Sequence, residues 1–429
     1  MKTVLNHSLL LMAAMMLTCT FTACEENDAD DTTTSAVSEG SDKKGWTDAD
    51  YKNKAYGNAA MEACNDLVAE LENATAVVGE NAMQHEATLK AVFANNVDNV
   101  IVPTYRALGD AVEKLQAALG DLSAADIKQS NVDAACEAFK TARAEWEKSE
   151  AFLMGPASDF SIDPHIDSWP LDRNELLSYF SDTSMEIENE SSILGFHALE
   201  FILFRNGQNR KVAEFQGFDT YKGFEKISGA QELAYAERVA KDLLVHVYEL
   251  EVAWDASNTK RLNAVIAAGL GYQTDHDISY GENMKSIGSE KSTIANVFNA
   301  LQDVLSADEG SCTGICDEVG SAKIGHPFKD GDVSYVESPY SYNSILDFQN
   351  NIRSIENLWY GSRQGKSANV ANSLHAFFTA NYPQTAKKIE TAIENAINAI
   401  GGMPSPFVKY VCTLHGKVFE DEVDLTEYE

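Results

Sequence analysis

The chain has 429 residues, with 33 Lys and Arg against 66 Asp and Glu, and its formal net charge at pH 7 is −33. This length allows two or three domains with buried cores, and a hydrophobic share of 44% excludes a disordered or fibrous chain. The acidic balance argues against binding to nucleic acid, or to anionic lipid through protein charge, because both need clustered Lys and Arg. A cationic ligand, a metal ion or simply a solvated acidic surface is compatible with it.

Residues 1–23 are predicted to be a lipoprotein signal peptide. Lys2 gives a short positive region, and the apolar run over residues 9–17 is too short to span a bilayer as a mature helix. Residues 21–24 then resemble a bacterial lipobox, although Phe stands where Leu is usual. We therefore expect Cys24 to be acylated and to become the mature N-terminus.

Residues 24–50 are predicted to form a flexible acidic tether after the lipidated Cys24. The segment holds an acidic run over residues 25–31, followed by Thr, Ser and Gly, and it cannot bury enough apolar surface to offset the entropy of ordering. An acidic run directly after an acylated Cys resembles the sorting signal of surface-exposed lipoproteins. The expected location is the cell envelope, as an outer-membrane lipoprotein facing either the periplasm or the outside.

The rest of the sequence predicts an all-α fold. Ala-, Glu-, Leu- and Lys-rich stretches with helical spacing dominate, and alternating β-branched runs are scarce. Helices are predicted near residues 48–79, 84–119, 130–153, 190–205, 229–256, 258–269, 290–306, 341–360, 368–381 and 383–400. Two stretches, residues 155–170 and 310–339, break the helical pattern through Pro or through Gly and charge.

The best domain boundary in the sequence is the Gly-bounded stretch over residues 207–223. Four long predicted helices precede it and a comparable set follows. We therefore predict two helical bundles in series, an N-terminal one over residues 51–215 and a C-terminal one over residues 216–429.

The sharpest candidate site lies in residues 191–204, where apolar side chains surround His197 and Glu200. These two residues stand three apart and share one helix face. A buried carboxylate is costly unless it is paired, coordinated or protonated, so Glu200 needs a partner. A structural His–Glu bond inside a bundle explains the pair as well as a functional site does. Ser192, at the start of the segment, is a candidate ligand-binding residue.

A second helix carries polar residues in an apolar stripe. Arg143 and Glu150 occupy positions of the predicted helix over residues 130–153 where a bundle core needs Leu or Ala. Their alternative placement is the edge of the stripe, with the Arg head in water. In the Pro-stiffened loop that follows, Asp163, His165 and Asp167 could complete a metal site with His197 and Glu200. The alternative is that Asp167 is a turn or cap residue.

The second half offers a weaker candidate around the helix predicted to begin at Ser341, a natural N-cap. Ser344, Asp347 and Asn351 lie together at the edge of its apolar face. They either line a cleft between the bundles or serve in capping and surface hydrogen bonding. We count Ser344 among the candidate ligand-binding residues.

Cysteine spacing adds little. Cys312 and Cys316 could close a small disulfide in an oxidising envelope, and the sequence leaves this open. A metal site at this pair is weakly supported, because no second Cys/His pair accompanies it.

Several catalytic signatures are absent from the sequence: the His-Glu-x-x-His zincin pair, the Gly-x-Ser-x-Gly elbow and the phosphate-binding P-loop. A catalytic zinc usually has three protein ligands, so His197 and Glu200 alone would be too few.

The motif GxHxxE at Gly195, His197 and Glu200 resembles the hallmark of the imelysin family. Further phrases of that family stand in the same order at residues 102–105, 146–152, 167–170, 317–319, 323–324 and 337–341. The resemblance covers residues 50–400. It implies two helical bundles with a site between them and an envelope lipoprotein often linked to iron acquisition. The family takes its name from an insulin-cleaving outer-membrane peptidase, and a related group serves as the periplasmic component of Efe-type iron transporters.

The leading hypothesis is a lipid-anchored protein that binds a divalent cation, iron or zinc, or a small ligand such as haem, in iron or haem acquisition. His197 and Glu200 would be metal ligands, as the resemblance implies, and Glu150 and Asp167 could complete the site. Arg143 would orient a carboxylate, and other iron-uptake components are candidate partners. One alternative is a metal-dependent peptidase in which Glu200 or Glu150 acts as general base. The other is a structural or surface-interaction protein without a metal site.

Overall fold

Helices make up most of the described chain, as its composition predicts, because long unbranched side chains and Ala lose little freedom in a helix. The structure is a computed structural model that describes residues 45–181, 191–270, 278–308 and 310–419. The all-α prediction is confirmed. The predicted signal peptide, the acylation site Cys24 and nearly all of the tether lie outside the described residues.

The helices are, in chain order, α1 (Ala55–Val78), α2 (Glu86–Asn96), α3 (Val102–Gly120), α4 (Gln129–Glu147), α5 (Pro156–Asp159), α6 (Asp163–Asp167), α7 (Arg173–Ser181), α8 (Gly195–Leu203), α9 (Val212–Phe215), α10 (Gly229–Trp254), α11 (Thr259–Ala267), α12 (Tyr280–Lys285), α13 (Val297–Leu305), α14 (Cys312–Asp317), α15 (His326–Asp330), α16 (Ser344–Tyr360), α17 (Leu374–Asn381), α18 (Pro383–Gly401) and α19 (Phe407–His415). A short antiparallel hairpin of β1 (Phe204–Arg205) and β2 (Gln208–Asn209) follows α8. In the described part of the chain, no helix combines the length and the apolar composition that crossing a membrane requires.

One long predicted helix, over residues 84–119, is interrupted in the structure. After α2 the chain makes a π-helical turn at Val97–Ile101 before α3 begins. Pro103 lies in the first turn of α3 and has no N–H to donate. The wider π-helical turn directly precedes this proline. It lies where the missing N–H of Pro103 would in any case interrupt the α-helical hydrogen-bond pattern.

The stretch over residues 310–339, predicted as a break, is largely helical. It contains α14, a π-helical segment at Glu318–Gly325 and α15. Its glycines allow close packing: a Cβ on Gly320 would lie 2.8 Å from the Cβ of Cys64 on α1. Gly320 therefore marks close helix contact and not a loop.

The apolar core is continuous from α1 to α19, with a small second cluster between α10 and α11. α3 packs against α4 and α10, and α1 packs against α14 and α18. α8 lies between α4 and α10. The described residues all belong to one compact unit, and the predicted boundary is crossed by the contacts of α10 with α3 and α8 and of α1 with α14 and α18. The division at residue 215 stays a prediction.

The cysteines of the described residues are all free. The Cys312–Cys316 disulfide that the sequence leaves open is therefore not formed. Cys316 is buried, and its thiol instead contacts the backbone carbonyl of Cys64 at 3.3 Å.

Candidate functional site

The start of α8 brings the GxHxxE segment against the short helix α6. Gly195 has a φ of +71°, a conformation that residues with a Cβ adopt only at a cost. A Cβ at this position would also overlap the backbone carbonyl oxygen of Ile166 on α6. Gly195 therefore permits the close approach of α8 to α6, which places His197 beside Asp167.

His197 is buried between two carboxylates. Its Nε2 lies 3.1 Å from Asp167 Oδ1, and its Nδ1 lies 4.0 Å from Glu200 Oε2. Burial opposes a charge on the ring, but the Asp167 carboxylate outweighs it and raises the pKa of His197 to about 9. Asp167 therefore favours the positively charged form of the His197 ring.

Glu200 is held through one of its two carboxylate oxygens. Oε1 accepts hydrogen bonds from the backbone N–H of Tyr340 at 3.1 Å, from the N–H of Ser341 at 2.7 Å and from the Ser341 hydroxyl at 2.6 Å. Oε2 is buried and has no hydrogen-bond partner among the described residues. The prediction that Ser341 caps α16 is wrong: α16 begins one residue after Asn343, and Ser341 instead binds Glu200.

Arg143 lies at the centre of a buried cluster of acids. Its guanidinium donates to Asp167 and to Glu337 Oε1, the latter at 2.5 Å, and lies 2.6 Å from Glu147 Oε1 and 3.8 Å from Asp347 Oδ2. The side chain is only 1% exposed. Arg143 is therefore inside the apolar stripe, and its alternative placement at the edge with its head in water is wrong.

Other donors complete this cluster. The Trp146 Nε1–H donates to Asp167 Oδ2 at 2.7 Å, and Lys323 Nζ donates to Glu337 Oε1 at 3.2 Å. Although burial disfavours a charged carboxylate, Arg143 and His197 hold the pKa of Asp167 well below its usual range. Asp167 therefore favours its negatively charged form beside His197.

The cluster holds more acids than bases, and burial favours the neutral form of its carboxyl groups. Burial raises the pKa values of Glu147 and Glu150 well above the ordinary range. Burial also raises the pKa of Asp347 to about 7, although it accepts from Ser338 and Asn343, both at 2.5 Å.

The raised pKa of Asp347 predicts a pH-dependent stability that Asp347→Asn removes. The folded protein holds this proton more tightly than the unfolded chain, so its contribution is complete below about pH 4 and is lost as the pH rises through 7. Wild type should lose unfolding free energy relative to Asp347→Asn between about pH 4 and 7. Ser338 can donate to or accept from the new amide. Urea unfolding at four pH values measures the difference.

A suitable control is Asp98→Asn, because Asp98 is an exposed carboxylate paired with Lys285 at 2.5 Å. Its unfolding free energy should run parallel to wild type over this range. If the unfolding free energy of Asp347→Asn also runs parallel to that of wild type, the raised pKa of Asp347 is contradicted.

The other predicted site residues lie at varying distances from this centre. Glu150 is buried, and one of its oxygens lies within 4.8 Å of ligand atoms of Glu147 and Asp167. The Ser344 hydroxyl donates to the backbone carbonyl of Glu337 at 2.5 Å. The Ser192 hydroxyl donates to Glu175. The structure thus groups His197, Glu200, Asp167 and Arg143, with Glu150 beside them, and gives the two serines other partners.

The sequence reasoning missed Glu147, Lys323 and Glu337 as site residues. Glu147 stands one helical turn after Arg143, a spacing that favours an ion pair and could have identified it. Lys323 and Glu337 lie in the stretch predicted to break the helical pattern, where charged side chains are expected to be exposed to solvent. Nothing local in the sequence marks them as buried.

A cavity of about 250 Å³ opens beside the histidine and the glutamate. His197 and Glu200 line it together with the segment after α6 and the loop before α16. Trp169, Arg173 and Tyr340 contribute to its wall. The unpartnered oxygen of Glu200 belongs to a side chain that borders this space.

Residues 101–420 match the family model described as Imelysin. The chain belongs to the imelysin family. It is 27% identical over 322 residues to "Iron-regulated protein A" of Synechococcus elongatus, which spans 75% of this chain and 78% of that protein. A solved structure of a candidate iron-regulated protein A precursor from Parabacteroides distasonis ATCC 8503 is 27% identical, with a TM-score of 0.59 over 77% of this chain and 95% of that one. An imelysin-like protein from Psychrobacter arcticum 273-4 is 13% identical, with a TM-score of 0.41 over 78% and 97% of the two chains.

Proposed function

We propose that this imelysin-family protein binds a divalent iron ion, free or carried by a small ligand, at His197 and Glu200. The observation that carries the proposal is the buried Glu200 Oε2, which has no hydrogen-bond partner among the described residues and lies 4.0 Å from His197 Nδ1 beside a cavity. Two ligand atoms about 2.1 Å from a tetrahedral ion lie about 3.4 Å apart, so the two side chains need to approach each other by about 0.6 Å to share a cation.

Asp167 and Arg143 act as positioning residues in this proposal. Metal-binding histidines commonly turn their second nitrogen toward a carboxylate, which orients the ring and raises its basicity. Asp167 takes this place at His197 Nε2, and Arg143 and Trp146 hold Asp167 in turn. Asp167 thus lies on the Nε2 side of the ring, at 3.1 Å but outside hydrogen-bond geometry, and Nδ1 lies on the side of Glu200.

A competing arrangement uses Asp167, His197 and Glu337, whose ligand atoms also lie within 4.8 Å of one another. Asp167 Oδ1 and Glu337 Oε1, however, already accept hydrogen bonds from Arg143. A permanently charged guanidinium fills the place that a metal ion would need. The cavity side of His197 is therefore the favoured side.

Two protein ligands suit a cation that is carried and released. Structural zinc sites are closed by four protein ligands, whereas a pair leaves several positions for water or for a ligand of the ion. The names of the two relatives at 27% identity, both iron-regulated, favour iron over zinc as the cargo. Other iron-uptake components would then be the partners that deliver or receive it.

Anaerobic titration of the metal-free protein with Fe²⁺, followed by calorimetry and by the rise in Tm, tests this proposal. Glu200→Gln keeps the shape and the hydrogen bonds to Oε1 but removes the charge, and it should weaken Fe²⁺ binding about 100-fold or more, as should His197→Ala. Unchanged affinity in Glu200→Gln would refute the site.

A matched control is the half-exposed pair of His375 and Glu390, whose Nε2 and Oε1 lie 2.5 Å apart. His375→Ala removes an imidazole beside a carboxylate far along the chain from the candidate site. It should leave Fe²⁺ affinity within about twofold of wild type, because this pair borders no part of the cavity.

We further propose that the protein is held at the outer membrane by a lipid on Cys24. The support is the lipobox-like sequence over residues 21–24 and the acidic run that follows it. Mass spectrometry of the mature N-terminus should find an acylated Cys24, and Cys24→Ser should release the protein from the membrane fraction. An unmodified N-terminus upstream of residue 24 would overturn this part.

A further inference from the structure

Arg173, the first residue of α7, lines the cavity beside the proposed iron ligands and forms an ion pair with no carboxylate among the described residues. Its Nη1–H donates to the Tyr221 hydroxyl at 2.8 Å, and its Cζ lies 5.4 Å from the centroid of the Phe419 ring. The buried Arg143 and Arg210, by contrast, each pair with carboxylates. In a chain with a net charge of −33, the guanidinium of Arg173 thus contacts aromatic side chains and not an acid.

The acidic residue next to Arg173 does not compensate its charge. Asp172 also lines the cavity, but its Oδ1 accepts from the backbone N–H groups of Asn174 and Glu175, both at 2.9 Å. This carboxylate caps the first turn of α7, where free N–H groups and the helix dipole favour a negative charge. Among the described residues that line the cavity there is no Lys and no second Arg. Arg173 is therefore the one permanently charged cation of the described wall.

A second hydrogen-bond donor among the lining residues is unused. Trp169 lines the cavity, and its Nε1 is buried and has no hydrogen-bond partner in the described part of the chain. Its ring packs on that of Tyr335, with centroids 4.1 Å apart, and this contact orients the indole. A buried N–H without an acceptor is costly, and a charged oxygen is the strongest acceptor that a ligand can offer it. Arg173 and Trp169 therefore both favour an anionic ligand.

The proposed iron ion favours an anion in the same cavity. His197 and Glu200 fill two of its coordination positions and leave the others open. Glu200 brings one negative charge against the two positive charges of the ion, and Arg173 adds a third positive charge. Carboxylate oxygens are common ligands of such ions. A molecule with two or more carboxyl groups can therefore give one to the ion and another to Arg173.

The size of the cavity limits this molecule. Its volume of about 250 Å³ is below the range of about 300–1,000 Å³ that holds drug-sized ligands, which favours a small acid over a macrocycle such as haem. We propose that the cavity binds a small di- or tricarboxylic acid that carries the iron ion, with Arg173 and the Trp169 N–H holding a carboxyl group that the ion leaves free. One guanidinium matches one carboxylate, whereas a phosphate dianion would need a further cation. This inference rests on the proposed iron site at His197 and Glu200.

Anaerobic equilibrium dialysis against Fe²⁺ and citrate, in a buffer without other carboxylates, tests the inference. Iron and citrate retained by the protein are measured separately. Wild type should retain one citrate per iron, and citrate should bind about tenfold more tightly, or better, when Fe²⁺ is present. If the protein binds Fe²⁺ but retains no citrate with it, or if citrate only removes the iron, the inference is overturned and the iron site stands. If Fe²⁺ alone does not bind, the iron site fails and this inference fails with it.

Variants of the two donors assign the carboxylate to its place. Arg173→Gln should weaken citrate binding to the iron-loaded protein about tenfold or more, and Arg173→Lys, which keeps the charge but not the planar fork, should recover part of it. Trp169→Phe removes the N–H and keeps an aromatic ring against Tyr335, and it should weaken citrate binding as well. The control is Arg363→Gln, since Arg363 already pairs with Glu145 and is not among the residues that line the cavity. The same citrate affinity in Arg173→Gln and Arg363→Gln would overturn the role of Arg173.

Discussion

Replacing Arg143 with Met is expected to lower the free energy of unfolding by about 3–5 kcal/mol, the largest single loss that we predict from a side-chain contact. The guanidinium is 1% exposed and contacts the carboxylates of Asp167, Glu337 and Glu147. Met fills much of the volume but leaves these acids without their main counter-charge in a region that water does not reach. Urea unfolding followed by circular dichroism measures the loss.

The loss in Arg143→Met should shrink as the pH falls toward about 4, because the buried carboxyl groups, whose pKa values burial raises, then take up protons and lose their uncompensated charge. Arg363→Met is the control, since Arg363 pairs with Glu145 while 30% exposed. A pair that water reaches should contribute at most about 1 kcal/mol. Equal losses in the two variants would mean that Arg143 is not the counter-ion of the acid cluster.

Gly195→Ala is expected to cost about 2–5 kcal/mol and to disrupt the candidate iron site as well. The positive φ of +71° carries a penalty for any residue with a Cβ, and the added methyl group would overlap the carbonyl oxygen of Ile166. Backbone atoms cannot rotate away as a side chain can, so α8 must move away from α6. That movement separates His197 from Asp167.

The control for this variant is Gly269→Ala. Gly269 has a similar φ of +77°, but among the described residues, its chain neighbours aside, no heavy atom lies within 4 Å of the place its Cβ would take. Gly269→Ala should therefore show only the conformational penalty, about 1–2 kcal/mol, and keep Fe²⁺ affinity. If both variants lose the same unfolding free energy and both keep Fe²⁺ affinity, the close approach of α8 to α6 at Gly195 is not required for the site.

The loop before α16 links the two halves of the candidate site. Its Glu337 binds Arg143 and Lys323 inside the acid cluster, and its Tyr340 and Ser341 hold Glu200 beside the cavity. A change in this loop would therefore act on the acid cluster and on the cavity together. The sequence marks this loop as a polar lead into a helix and, at residues 337–341, as one of the family phrases, but not as buried.

The sequence by itself determined the helical fold and the burial of His197 and Glu200. Helical periodicity compares residues three or four apart, so it shows that these two share one face and that apolar side chains surround them. The same local pattern placed Arg143 in the apolar stripe of α4. In each case the deciding physics lies within one or two turns of a single helix.

Only the tertiary structure decided which groups meet the buried charges. Glu337 reaches Arg143 across 194 positions in the chain, and Ser341 reaches Glu200 across 141. For Ser341, local sequence favoured a helix cap, and the structure instead uses its hydroxyl for a distant carboxylate. A buried ion takes whichever partner the packing of other helices brings near, and helical periodicity carries no information about segments so far away.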